Sequence, residues 1–535
     1  MTPLIVVFVY LAVVLYIGIF AFRKGSTSGE DYFVAGRSLG PYVFLLALFG
    51  TNMTAFSILG ASGLAYHRGI GVFGLLASAS AFVIPLTIFL IGTRLWAMGK
   101  RFGHITQVQF LRDRWECSFI GTLICGLTAA MLVPYIVIGV MGGGQTLQAI
   151  SHGVLPYWAG GALVALVVMS YVFFGGMRGT AWVNTFQTML FLCFGTAAFM
   201  LIGRNLGGFH EVLRKLASHP ATASLLTRAK IEPQEFFSYA LIPLSSIMFP
   251  HVAIMCMTAK KASSFKNTVV FYPICILLLW LPSVFLGVVA AGQFPGLKPG
   301  ESDDVILRLL TANTGPILAG ILGAAIMACV MASDSQILAL CTMFTEDIFA
   351  YYGGKDRFGE KAQVWTGRGF VVLVTVVAYG AAMQLKDKAG IFELAIRFAF
   401  SGFAALSPLM LAALFWKRST KWGALAAVLW VTVTMTASWY LHETTVGLAP
   451  KAGAAAVQIF PALGNLFLRT PGGVTMYGYL PVMFMCLGSG ALMVLGSLLT
   501  RPPSAATIER YFPAADTAAA GHFCLPKQMQ PTTLV

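Results

Sequence analysis

Thirteen stretches of this chain are apolar and long enough to cross a lipid bilayer, and that pattern limits its fold more than any motif does. A hydrocarbon core about 30 Å thick is crossed by about 20 helical residues. The stretches are centred on residues 3–22, 41–66, 72–96, 118–150, 157–177, 181–203, 236–257, 268–292, 316–348, 367–385, 391–415, 422–441 and 477–500. They are numbered spans 1 to 13 below. Spans 4 and 9 exceed the bilayer thickness, which predicts tilt or extension beyond it. Charged residues are 10% of the 535 and hydrophobic residues 58%, against about 25% charged in soluble domains. In water such a chain would expose large apolar patches and aggregate. Lipid offers the backbone no hydrogen-bond partners, so each span must be a helix. The expected fold class is an all-α polytopic membrane protein.

The net charge of +15 does not point to nucleic acid, because the bases are spread over short loops between spans. Loops after odd-numbered spans, together with the C-terminal tail, hold 22 Lys and Arg; the opposite side holds 12, and Arg397 lies inside a span. The excess predicts a cytoplasmic C-terminus and an outside N-terminus. Arg23 and Lys24 follow the first apolar run, so that run reads as a retained helix and not as a cleaved signal peptide. GFHEVLRKLASH (208–219) has the pattern of a short amphipathic surface helix. Most of the nine cysteines sit within spans and none forms a C-x-x-C pair, which favours small buried side chains over disulfides or metal ligands.

Polar groups inside spans carry the functional information. FGTNMTAF (49–56) puts Gly50, Thr51, Asn52 and Thr54 in the middle of span 2. Backbone that leaves helical geometry at this depth is tolerated where it is buried in protein or lines a cavity; alternatively these side chains bond neighbouring helices in a continuous helix. Span 7 carries Pro243 and Pro250, with Ser245, Ser246 and His251 beside them, and each proline removes a helix hydrogen bond. The two interrupted spans are five apart, as corresponding members of two repeats over spans 2–6 and 7–11 would be. Such pairs point to a transport site. Two acids lie clearly inside spans. Glu393 and Arg397 are four apart in span 11 and can pair structurally. Asp334, in MASDSQ (331–336), has no base one turn away, and an isolated intramembrane acid is a functional candidate. It can also be a carboxylate held by helix hydroxyls and amides.

Five segments, in order, resemble the sodium:solute symporter family, relatives of the proline, sialic acid and glucose cotransporters. DYFVAGRSLG (31–40) resembles the loop before that family's first core helix and FLRDRW (110–115) its loop after span 3. FGGMRGTAW (174–182) is similar to the turn between spans 5 and 6, FPH (249–251) to span 7, and DSQILALCTMFTEDIF (334–349) to the end of span 9. The resemblance covers about residues 1–500. It implies a LeuT-like core of inverted five-helix repeats, alternating access, and solute bound between spans 2, 3, 7 and 11. The domain expectation is a transport domain over 1–500 (extra span 1–30, core 31–415, two extra spans 416–500), then a disordered tail over 501–535.

The family's principal sodium site implies cation ligands at Gly50, Met53, Ala328, Met331 and Ala332. Sodium-coupled relatives carry Ser or Thr where Met331 and Ala332 stand, and some carry Asp where Asn184 or Asn52 stands. A dehydrated cation needs oxygen ligands and nearby negative charge, so that site should be weak here. Three outcomes stay open. Asp334, Ser335 and Asn184 can supply a rebuilt site; protons can couple through Asp334 or His251; or the chain is an uncoupled carrier or a solute sensor. Solute candidates are Thr51, Asn52, Thr54, Phe56, Ser246 and His251, facing a neutral or zwitterionic metabolite. An enzyme is disfavoured: Asp303–Asp304 is the one adjacent acidic pair in an outer loop and has no metal-ligand spacing beside it. A secondary active transporter importing a small organic solute is expected. No cofactor is expected, sodium being the one candidate ion. The partners are the solute and the bilayer, not nucleic acid, for a monomer or weak homo-oligomer in the cell membrane.

Overall fold

The computed structural model describes residues 2–23, 29–298, 300–386, 390–450 and 455–513. Among the described residues, ten helices are long and apolar enough to cross a membrane, and two further bent pairs pass that test jointly. Span 1 is Thr2–Arg23. Spans 5 and 6 are two helices continuous in sequence over Tyr157–Asn205 and parted at Gly176, whose φ of +50° and ψ of −147° are not helical. A Cβ at Gly176 would overlap the Tyr32 carbonyl and ring, and only glycine fits that backbone without strain.

The bent pairs are spans 2 and 7. Span 2 runs as Pro41–Asn52 and Phe56–Arg68, bent by 60°; span 7 runs as Pro233–Met248 and Pro250–Met257, bent by 49°. Span 2 leaves the helix at Met53, which is extended at φ −108°, ψ 97°. Span 7 leaves it at Phe249, φ −61°, ψ 118°. The residue before a proline is pushed out of helical geometry, and Pro250 follows. Pro243 instead lies in a tight turn at Ile242–Leu244. Span 9 breaks as well, between Pro316–Met331 and Asp334–Met343.

The first arm of span 2 lies against span 6. Thr185 and Thr188 donate to the carbonyls of Val43 (3.4 Å) and Leu46 (2.9 Å), and a Cβ at Gly50 would overlap the Thr188 hydroxyl. The second arm meets span 11, Ile391–Phe415, where a Cβ at Gly60 would press on the Phe392 backbone. A linker helix, Gln107–Arg114, opens with a capping box made by Thr106 and Gln109. Its buried polar residues each hold a different element: Gln107 donates to the Met248 carbonyl, Arg112 to the Asp347 carbonyl, and Arg114 to the carbonyls of Ala413, Trp416 and Lys417.

Two features depart from expectation. The segment between spans 12 and 13 holds a three-stranded antiparallel sheet, Val457–Gln458, Leu468–Thr470 and Gly473–Thr475, so the fold is not wholly helical. Pro471–Gly472 makes its tight turn, since proline presets the first central φ of a turn and glycine tolerates the second. The tail, expected to be disordered from 501, instead forms a helix at Ala505–Tyr511. Tyr511 is buried against Phe102 and Phe110, and Ser504 and Thr507 donate to Glu116. Residues 514–535, with Cys524, and Lys24 lie outside the described residues. The expected amphipathic helix is present as Phe209–Ser218, its Val212 and Leu216 buried and Phe209 stacked on Phe199. All described cysteines are free.

Candidate functional site

Each backbone break leaves carbonyls without helical donors, and buried carbonyls need partners. Around the break in span 2 those partners come from other elements. Gln336 donates to the Thr51 carbonyl (3.0 Å) and Tyr135 to that of Asn52 (3.1 Å). The Cys329 thiol donates to the carbonyls of Met53 (3.4 Å) and Thr54 (3.3 Å). The implied cation position at Gly50, Met53, Ala328, Met331 and Ala332 therefore has a protein donor on its Met53 carbonyl. Met331 turns its sulfur to the Tyr10 hydroxyl of span 1. Ser333 is seated against Gly139 of span 4, and Ala332 contributes no side-chain oxygen.

One turn further along span 9, oxygen atoms gather. Asp334 is fully buried and accepts from Tyr171 (2.9 Å), Asn184 (3.1 Å) and Ser335 (3.0 Å). Thr51 and Ser335 share a hydrogen bond of 2.6 Å. The Asn184 amide nitrogen lies within 3.2 Å of Thr51, Asp334 and Ser335 oxygens alike. An amide has two hydrogens for those three acceptors, so one oxygen always retains a lone pair. The side-chain carbonyls of Asn184, Gln187 and Gln336 are buried without a hydrogen-bond donor. The cluster joins one carboxylate, hydroxyls and amide oxygens from spans 2, 5, 6 and 9, and oxygen ligands of this kind suit a hard cation.

The break in span 7 has a different lining. Phe249 and Tyr135 stack at 5.7 Å. Phe56 meets Phe400 at 4.7 Å, and Phe249 meets Phe400 at 5.3 Å and Phe403 at 4.8 Å. His251 lies beside these rings, 1% exposed, with neither ring nitrogen hydrogen-bonded. Ser246 shares a hydrogen bond with Thr87 of span 3 (3.1 Å) and donates to the Pro243 carbonyl. Phe56, Tyr135, Phe249, His251, Phe400 and Phe403 are all buried. A cleft of about 420 Å³ opens elsewhere, between Arg37, Lys100, Glu346 and Lys355.

The six solute candidates thus divide. Phe56 and His251 stand with the aromatic cluster, and Ser246 bonds Thr87 and the Pro243 carbonyl. Thr51 belongs to the oxygen cluster, and Asn52 donates to Tyr272 of span 8 (2.7 Å). Thr54 is buried, its hydroxyl without a hydrogen-bond partner and its carbonyl accepting from Cys329. Sequence reasoning missed Tyr10, Tyr171, Tyr135, Gln336, Phe249 and Phe400. A signal existed for four of them: a tyrosine or glutamine inside a span needs a buried partner. Glu393 and Arg397 do form the expected ion pair.

Residues 32–430 match the Sodium:solute symporter family. The chain belongs to that family. A sodium/proline symporter of Staphylococcus aureus (strain USA300 / TCH1516) is 28% identical over 448 residues, which cover 79% of this chain and 83% of that protein. Among solved structures, a Na+-coupled sialic acid symporter in a substrate-bound outward-open state aligns with a TM-score of 0.73 at 14% identity, covering 94% of this chain and 99% of the other. Mhp1, a nucleobase-cation-symport-1 family transporter in a closed conformation with bromovinylhydantoin bound, gives 0.55 at 13% identity, over 91% and 99%. The fold is the LeuT-like inverted repeat, with the bent spans 2 and 7 in corresponding places. The family member is a multi-pass membrane protein that carries out secondary active transport of a small-molecule solute, and it is not an enzyme.

Proposed function

We propose that this chain imports a small neutral or zwitterionic solute, driven by a cation bound at Asp334. The solute sits between Phe56, Tyr135, Phe249, Phe400 and His251. The observation that carries this reading is the buried Asp334 carboxylate inside an oxygen cluster built from both repeats. A buried charge without a base beside it is costly unless a cation or proton neutralises it. Sodium is the coupling ion favoured by the family. Proton coupling at the same carboxylate is the second reading, favoured by the missing hydroxyls at Met331 and Ala332.

The aromatic cluster suits the apolar body of a ligand, and His251 supplies one donor and one acceptor when neutral. The excess of Lys and Arg on one face supports a cytoplasmic C-terminus, and with thirteen crossings the N-terminus is then outside. The test is uptake into proteoliposomes of a solute library beginning with L-proline, with and without a sodium gradient. Uptake driven by sodium supports the reading. Uptake driven by a proton gradient alone moves it to the second reading, and ligand binding without uptake would make the chain a sensor.

A further inference from the structure

The acidic pair Asp303–Asp304 is not part of either cluster, yet its first member is the more buried. Asp303 is 3% exposed. Its Oδ2 accepts from the main-chain N–H of Ile391 at 2.9 Å, in the first turn of span 11. Its Oδ1 lies where a side chain at Gly63 of span 2 would stand. The neighbouring Ser302 contacts His67 at 3.0 Å and the Gly63 carbonyl at 3.4 Å. Asp304 turns away and pairs with Arg308 at 2.7 Å. Three separate elements therefore meet at one carboxyl, on the face opposite the Lys- and Arg-rich one. Directly below, Gly60 of span 2 lies against the Phe392 backbone, and Phe392 stacks on Tyr239 of span 7 at 6.5 Å.

We propose that Asp303 is the positioning residue of the outer gate: seating its carboxyl between Gly63 and Ile391 closes spans 2 and 11 over the solute, and closure takes up an external proton. Opening must part Gly60 from Phe392 of span 11 and Gly63 from Asp303, which exposes this carboxyl to water. The ionisable groups around it are Glu301, Asp304 and Arg308 on its own segment, His67 on span 2, and Glu393 with Arg397 on span 11; span 4, which also packs here, carries no acid, Lys, Arg or His over 118–150. Burial, joined by the Asp304 and Glu393 carboxylates, pushes the Asp303 carboxyl up to about 8 against the pull of the Ile391 hydrogen bond. In water it returns to about 4. Between those values the closed state holds a proton that the open state lacks. Acid therefore favours closure, by up to about tenfold per pH unit.

The inference takes the orientation from the proposed function, and the test separates the two. Ala395→Cys, one turn into span 11 and fully buried, reports opening. Val446→Cys, 53% exposed, is the reference on the same face. Full-length protein in right-side-out vesicles is labelled with a membrane-impermeant maleimide, and the reporter rate is divided by the reference rate. The expected ratio rises at least tenfold from pH 6 to pH 8. Asp303→Asn, which keeps the acceptor, should flatten that slope, and Asp303→Leu should label fast at every pH. A flat profile in the native protein, or the native slope in Asp303→Asn, overturns the proposal. If the reference labels only in inverted vesicles, the orientation is wrong, and the same slopes are then read from inverted vesicles.

Discussion

At the break in span 2, the carbonyls of Thr51, Asn52, Met53 and Thr54 draw donors from spans 4 and 9, and an acid, an amide and two hydroxyls stand alongside. At the break in span 7, Phe249 is ringed by Tyr135, Phe400 and Phe403, and the His251 ring beside them has no hydrogen-bond partner. The backbone device is the same, a helix parted in mid-membrane. The surroundings are opposite: one break lies beside oxygens and the other beside rings. The contrast teaches that repeat symmetry supplies two mid-membrane breaks, while side chains on neighbouring spans give them different surroundings; under the proposed function the oxygens take the cation and the rings the solute.

The hardest blow to this division is Asp334→Asn. It keeps the shape and removes the charge, so gradient-driven accumulation should fall by about two orders of magnitude, the scale of losing one charge-assisted contact of about 3 kcal/mol. Solute binding at equilibrium should persist. Accumulation unchanged from pH 5 to pH 8 would remove Asp334 from coupling.

His251→Ala and Phe249→Ala strike the other half. Each should raise KM about tenfold, roughly 1.4 kcal/mol of binding, and leave the sodium dependence alone. If either changes the coupling ion dependence instead, the two halves are one site. Gly50→Ala tests the close approach on which the oxygen cluster depends. Its methyl would meet Thr188, and overpacking costs about 1–3 kcal/mol. A drop of several degrees in detergent melting is expected, partly restored by Thr188→Ala. The smallest effect is expected from Tyr511→Ala in the tail helix, far from both breaks. Its melting point should fall by about 2 °C, the shift that roughly 1 kcal/mol produces in a large chain, with uptake retained.

Much of this was legible in the sequence because the bilayer is an unforgiving solvent. Apolar length located the helices, and Pro250 and the Gly-Thr-Asn cluster located both breaks, since glycine, proline and polar side chains interrupt a span for local reasons. Asp334 stood out because an acid inside a span without a base one turn away must find its partners elsewhere, and they are the Tyr171 and Ser335 hydroxyls and the Asn184 amide. The partition of the site was not legible. Thr51 and Asn52 are adjacent, yet the break turns one toward Asn184 and the other toward Tyr272, and that depends on tertiary packing. Cys329 reads as an apolar filler until its thiol is seen on two freed carbonyls. The tail helix and the small sheet escaped because their signals, a Ser504 cap and a Pro471–Gly472 turn, are short and local in segments dominated by Ala, Pro, Gly and Thr.

The most direct measurement needs no knowledge of the solute: equilibrium binding of radioactive sodium to the purified protein at pH 7.5, native against Asp334→Asn and His251→Ala. Saturable binding in the native chain, weakened at least tenfold by Asp334→Asn and unaltered by His251→Ala, is the predicted result. Equal sodium binding in the native and Asp334→Asn proteins would contradict the assignment of the cation to the oxygen cluster.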